Sequence, residues 1–200
     1  LLDKKSRKIK KFYQRWLPAF QVINQKMRQN YRAAIPLLLQ RVAINDSTTV
    51  LDVGTGTGGF AGILSGYTSH VTGIDFSPEM LKEARKAYGD KIKFREMAAH
   101  EISCFEPRSY DLVVSAFCLH DMNDSYRLFV LEQMRRAARQ KVVIFDLAKT
   151  MNPVIWAIEL LEGSFYKDYI RAIDGQLAAV FPGCEKIAFS NWMCIYICDV

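Results

Sequence analysis

Along the chain, the rhythm of apolar and polar residues changes near residue 48. Before it, Phe12, Trp16, Phe20 and Ile23 recur at helical spacing, with Pro18 and Pro36 interrupting the run. Residues 4–43 therefore read as helix in two or three pieces. After it, short apolar runs alternate with amphipathic stretches. Residues 49–53 and 70–75 read as strands, the first ending on a glycine-rich turn. Ser77 is placed to cap a helix, with Pro78 at its first position and Glu79 in its first turn, reaching about Tyr88. Further strands are expected at 92–97, 110–116 and 141–146, with a helix at 124–139. Pro153 to about Phe181 reads as helix, and residues 184–199 as two short strands joined at Asn191. Such alternation specifies an α/β fold: a seven-stranded, mostly parallel sheet with helices on both faces and a C-terminal antiparallel hairpin. Only the last strand should run against the rest. Residues 1–47 are expected to form an N-terminal helical cap segment and residues 48–200 the α/β domain, one structural domain overall.

Composition changes this picture little. The 200 residues are 50% hydrophobic and 24% charged, which suits a single domain with a real core. The net charge of +6 is unevenly placed, because eleven basic residues precede Asp46 against Asp3 alone. That basic segment suits nucleic acid, an anionic surface or an acidic substrate, and equally the solvated face of a helix. No apolar run approaches the roughly 18–20 residues of a membrane span. The basic start lacks the apolar stretch of a secretory signal. Five cysteines, an odd number with no CxxC pair and no zinc-type histidine spacing, point to free thiols and no metal. Cys194 and Cys198 should share one strand face, and a reducing cytoplasm is the expected location.

The chemistry concentrates in the turn from Asp52 to Gly59. Gly54, Gly56 and Gly59 satisfy GxGxxG, while Gly54, Gly56 and Gly58 read GxGxG. Such glycines let backbone approach a ligand without a Cβ clash. Asp52, two residues before the first glycine, is placed to reach the cationic amino group of a methionine moiety. Asp75 ends the next strand about twenty residues on, where a carboxylate accepts from ribose hydroxyls. S-adenosylmethionine fits these features better than a nicotinamide dinucleotide.

Residues 50–58 and 73–81, with Ser109 to His120, resemble class I S-adenosylmethionine-dependent methyltransferases of Rossmann-like fold. They are similar in particular to the branch that makes ubiquinone and menaquinone. The resemblance spans roughly residues 48–147. It implies that Asp52, Gly54 and Gly56 line the methionine portion, with Thr55 and Gly58 shaping the turn. Asp75 would hold the ribose, Phe76 and Met80 would flank the adenine, and Ala98 and Ala99 would meet its edge. Ser115 and Phe117 would sit beside the sulfonium. Ala98 departs from the family, which often has Asp there to accept from the adenine amino group. Glu96, His100, backbone or water would have to replace it.

Methyl transfer needs alignment and water exclusion more than acid–base help. Where the acceptor must lose a proton, His120 is the candidate base, with Asp121 as its orienter. The acceptor pocket is expected above the strand ends, between Tyr13 and Trp16 on one side and Tyr166 and Tyr169 on the other. Residues 12–35 are expected to fold over the cofactor mouth. The absence of a Pro-Pro-aromatic turn after Ser115, and of a Pro-Cys pair, disfavours exocyclic-amine and pyrimidine-C5 methylation. A small-molecule acceptor leads. An RNA or protein methyltransferase using the basic helix, or a non-catalytic S-adenosylmethionine-binding module, are the alternatives. The acceptor and the oligomeric state have no signature in the sequence.

Overall fold

The computed structural model describes residues 27–148 and 165–200. A helix, α1, runs to residue 39 from the start of the described chain. It is followed by β1 (Val50–Val53), α2 (Gly59–Leu64), β2 (Val71–Asp75), α3 (Pro78–Tyr88), β3 (Lys93–Glu96) and β4 (Tyr110–Ala116). Then come α4 (Asp124–Ala137), β5 (Ala138–Leu147), α5 (Tyr166–Val180), β6 (Cys184–Ala188) and β7 (Met193–Asp199).

The seven strands form one sheet in the order β3-β2-β1-β4-β5-β7-β6. Pairings from β3 through β5 are parallel, and β7 is antiparallel to both β5 and β6. Only β7 therefore runs against the sheet, as the sequence pattern predicts. Strand order reverses between β1 and β4. In open α/β sheets that reversal leaves a crevice at the carboxyl ends of the strands, where ligands bind.

Local chemistry explains the boundaries. The Ser77 side chain accepts from the Met80 amide at 3.4 Å and Pro78 occupies the first turn, so α3 starts where expected. Asn123 caps α4 by accepting from the Tyr126 amide at 2.9 Å, a signal the sequence reading passed over. β5 begins at Ala138, three residues earlier than expected, because Tyr110 pairs with it across a bulge in β4.

One core cluster lies beneath α4 and α5, containing Leu51, Leu131, Ile144 and Tyr169. A second lies on the other face, where Tyr31, Ile35 and Leu38 of α1 meet Phe60, Phe145 and Ile195. The described part of the N-terminal segment is thus bound to the sheet. Burying side chains of this size contributes about 1.5–3 kcal/mol each. Residues 12–26, Tyr13 and Trp16 among them, lie outside the described residues, as does 149–164.

One expectation needs correction. Cys184 and Cys198 are joined as a disulfide, where the sequence reading expected only thiols. The cause is register: the antiparallel β6–β7 pairing sets these two residues directly opposite, across 14 positions of sequence. Cys194 and Cys198 both face the core cluster under α4 and α5, as their spacing requires. Cys104, Cys118 and Cys194 are free.

Candidate active site

The site assembles at the carboxyl ends of β1, β2, β4 and β5. β1 ends in a turn whose Gly54 and Gly56 have φ of 71° and 55°. The amides of Gly54 and Thr55 both donate to the Ile74 carbonyl at 2.9 Å, which hangs the turn on the end of β2. A Cβ built on Gly54 would lie 2.2 Å from the Cys118 sulfur and 2.7 Å from its Cβ. At Gly56 such a Cβ meets nothing within 4 Å, so the turn presents bare backbone to an open side. Gly54→Ala combines a left-handed φ with that overlap. We expect it to lower stability by about 2–4 kcal/mol in urea unfolding, and Cys118→Ala in the same chain to restore part of the loss.

Two carboxylates frame this turn. Asp75 closes on it: Oδ2 accepts from the Gly56 amide at 2.8 Å and Oδ1 from the Ser77 amide at 2.9 Å. Asp52 is 1% exposed and accepts from the Thr55 hydroxyl at 2.7 Å through Oδ2. Its Oδ1 is buried with no hydrogen-bond partner of good geometry among the described residues. Burial pushes the Asp52 carboxyl up to about 7, with the Thr55 hydroxyl and the Ala61 amide pulling against it and Asp75 adding to it. An orphaned buried carboxylate oxygen beside exposed backbone is the environment a cationic ligand group would complete.

The other wall comes from β4 and β5. Ser115 is buried and its hydroxyl donates to the Val53 carbonyl at 2.9 Å, tying β4 to the start of the turn. Phe117 adopts a φ of 52°, a strained backbone for a residue with a Cβ, and its amide donates to the Phe145 carbonyl at 2.8 Å. Its ring lies 5.4 Å from Phe145, 6.0 Å from Trp192, 6.2 Å from Tyr31 and 6.3 Å from His120, centroid to centroid. Burial pushes the Cys118 thiol up, and Asp75, Asp121, Asp146 and Asp52 add to the shift, so it is no thiolate nucleophile.

His120 is 4% exposed and sits between two acids. Its Nδ1 lies 2.6 Å from Asp146 Oδ1, whereas Nε2 is 3.9 Å from Asp121 Oδ2. The close partner is thus Asp146 at the end of β5, where sequence reasoning named Asp121. Distance along the chain concealed it, although an acid ending a buried strand beside the β4 end was a usable signal.

Phe76, Met80, Ala98 and Ala99 are half-buried along the β2 and β3 ends. Glu101 Oε2 accepts from the Ala98 amide at 2.6 Å, a capping arrangement its i+3 spacing could have revealed. His100 Nδ1 is 3.1 Å from the Tyr126 hydroxyl. Tyr166 and Tyr169, expected on one side of the acceptor pocket, are buried against the core. Tyr166 donates to the Ala148 carbonyl at 3.1 Å, and the Tyr169 ring lies 6.3 Å from His120. They lie on the inward stripe of α5, which the sheet covers.

Residues 50–151 match the methyltransferase domain family. The chain belongs to that family. The chain is 30% identical, over 147 residues, to demethylmenaquinone methyltransferase from Staphylococcus aureus, a match covering 71% of this chain and 59% of the relative. It thus spans under two thirds of the curated relatives it matches. Among solved structures it resembles the DhpI–SAH complex, with a TM-score of 0.73 and 21% identity over 96% of this chain and 95% of that one. It also resembles magnesium protoporphyrin IX methyltransferase from Synechocystis PCC 6803 with bound SAH, at a TM-score of 0.65 and 16% identity, covering 86% and 83%. The class I, Rossmann-like, S-adenosylmethionine-dependent assignment, carried by residues 50–58, 73–81 and 109–120, agrees with these matches. Among the described residues, no helix is long and apolar enough to cross a membrane, and no cluster of His, Cys, Asp and Glu could hold a metal ion.

Proposed function

We propose that the chain catalyses methyl transfer from S-adenosylmethionine to a small-molecule acceptor with an aromatic ring. The observation that carries this is the buried Asp52 Oδ1, without a good partner, beside the open backbone of Gly56. When bound, the cofactor supplies a methyl group on a positively charged sulfur that leaves as a neutral thioether.

The residues present fit that group. Asp52 and the Gly54 and Gly56 backbone would hold the methionine portion, with Thr55 fixing the Asp52 rotamer and Gly58 opening α2. Asp75 would receive the ribose hydroxyls, since each carboxylate oxygen carries two lone pairs and can accept beyond its backbone amide. Phe76, Met80, Ala98 and Ala99 would border the adenine, with Glu101 nearest to the acid missing at Ala98. Ser115 would act through the β1–β4 junction, and Phe117 would form the wall beside the sulfonium. His120 would take a proton from the acceptor.

An aromatic acceptor is supported by the named reaction of the Staphylococcus aureus relative and by the half-buried Phe117 ring with Trp192 beside it. Residues 1–47 are read as a cap segment on the 48–200 domain. A nucleic-acid acceptor is not favoured, and the location proposed is the cytoplasm.

Calorimetry with S-adenosylhomocysteine and NAD tests the reading. Binding of the first alone is expected, and preference for NAD would sink it. Asp75→Ala should weaken S-adenosylhomocysteine binding roughly 100-fold, because charge-assisted hydrogen bonds contribute about 1.5–3 kcal/mol each. The same change strips an acceptor from the Gly56 and Ser77 amides, so a modest drop in urea midpoint should accompany it. Unchanged affinity would show the ribose to be placed wrongly.

A further inference from the structure

α1 carries a cation to the glycine turn, and no step derived so far uses it. Arg41, just past α1, pairs with Glu185 at the start of β6, a strand that runs with β1 to β5. The end of α1 is thus at the amino ends of the strands, and its first turn, with Arg28, lies toward their carboxyl ends. There α1 crosses Gly59, the first residue of α2. A Cβ built on Gly59 would lie 3.3 Å from the Tyr31 ring and 4.0 Å from Arg28 Cγ. Tyr31 and Arg28 are one helical turn apart and share this face of α1. Tyr31 shows where the face looks: burial pushes its phenol up, and Asp52 and Asp146 add to the shift.

The Arg28 guanidinium sits over the Tyr88 ring, 5.4 Å from its centroid. Tyr88 in turn lies flat on α2, where a Cβ on Gly62 would overlap it at 2.1 Å. Burial pushes the Tyr88 phenol up, with Arg28 and Arg32 pulling against it, so the ring brings no negative charge. A neutral ring orients a guanidinium but leaves its hydrogen bonds unmade. Arg28 Nε is buried with no hydrogen-bond partner among the described residues, and the side chain enters no ion pair among them. Asp52 Oδ1 is the other orphan at this turn, and it has the opposite sign. We propose that Arg28 selects the cofactor by its carboxylate: the guanidinium takes the carboxylate of the methionine portion, while Asp52 takes its ammonium. The inference rests on the cofactor placement given above. A zwitterion answers both orphans at once, and the planar fork of arginine matches a carboxylate with two parallel hydrogen bonds.

Two ligands separate this role from a merely structural one: S-adenosylhomocysteine, and S-adenosyl-3-thiopropylamine, the same molecule without its carboxylate. Calorimetry on the wild type should show S-adenosylhomocysteine preferred by roughly 10–100-fold, the range a charge-assisted hydrogen bond supplies. Equal affinities overturn the proposal, and this arm needs no variant to fold. Arg28→Met should cost S-adenosylhomocysteine about that factor and change the decarboxylated ligand less than about threefold. Arg28→Lys, which keeps the charge, should restore part of the preference. An arginine that only latches α1 onto Tyr88 would cost both ligands alike, so equal losses overturn the proposal, as does a preference that survives in Arg28→Met. Should that variant fail to fold, phenylglyoxal labelling of the wild type, mapped by mass spectrometry, decides. S-adenosylhomocysteine should protect Arg28 and the decarboxylated ligand should not; equal protection overturns it. Binding of neither ligand to the wild type defeats the cofactor placement, whereas binding of both without preference defeats only the role of Arg28.

Discussion

Affinity for S-adenosylmethionine should climb between pH 5.5 and 7, by up to about tenfold per pH unit, and the climb should vanish in Asp52→Asn. The cause lies in the carboxyl that burial holds at about 7. Below that value the empty site is mostly protonated, and a cationic ligand must first displace the proton. Above it the carboxylate is ready and the slope flattens. Asp52→Asn should also lower affinity at pH 7.5 by roughly 100-fold, since it removes a charge-assisted contact. Stability moves in the opposite sense. The folded carboxyl titrates near 7 and the unfolded one near 3.8, so between those values the native state holds a proton that the unfolded chain has lost. The fold is favoured at the acid end of that window and loses about 4 kcal/mol as pH rises through it, by the shift alone. Urea midpoints from pH 4.5 to 8 should therefore decline in the wild type and stay level in Asp52→Asn. A flat wild-type binding profile would show that the ligand does not meet this carboxylate.

The second large effect belongs to Arg127, which is 0% exposed. Its guanidinium donates to the Met122 carbonyl at 2.7 Å, to the Leu119 carbonyl at 3.5 Å, to Gln176 at 2.7 Å and to Asp124. One side chain on α4 thus holds the turn bearing His120 and, through Gln176, the helix α5. Arg127→Met keeps much of the volume and strands every acceptor. Breaking such a network costs about 3–5 kcal/mol, because the groups left behind are buried without partners. We expect a matching fall in unfolding free energy, and faster hydrogen exchange at residues 119–122 than elsewhere. Retained stability would mean that water replaces the guanidinium at no cost.

The arrangement of strands was legible because each rests on local signals: the period-two runs, the Ser77 and Pro78 start, and the turn around Asn191. The glycine turn and Asp75 were legible for the same reason, lying near one another in sequence. What escaped notice depends on pairs brought together by the sheet. Asp146 meets His120 only because β5 lies beside β4. Cys184 meets Cys198 only through hairpin register. Tyr31 reaches Phe117 and Phe145 from a helix whose spacing marked it merely as apolar on one side. Tyr166 and Tyr169 were read as pocket residues because helical spacing identifies a stripe and not which surface covers it.

The position of β7 bears on how the chain folds. It is the last strand of the described sequence, yet it lies between β5 and β6 and is buried along six of its seven residues. Until it arrives, β5 has an open hydrogen-bonding edge, and Ile144 and Phe145 have no strand beside them on that side. Emerging from a ribosome, the chain can assemble the cofactor half of the sheet, β1 to β3, well before its other half can close. The late closure joins segments distant in sequence, which slows folding and leaves an adhesive edge exposed meanwhile. The interval between the synthesis of β5 and of β7 is therefore when this protein most needs shielding from its neighbours.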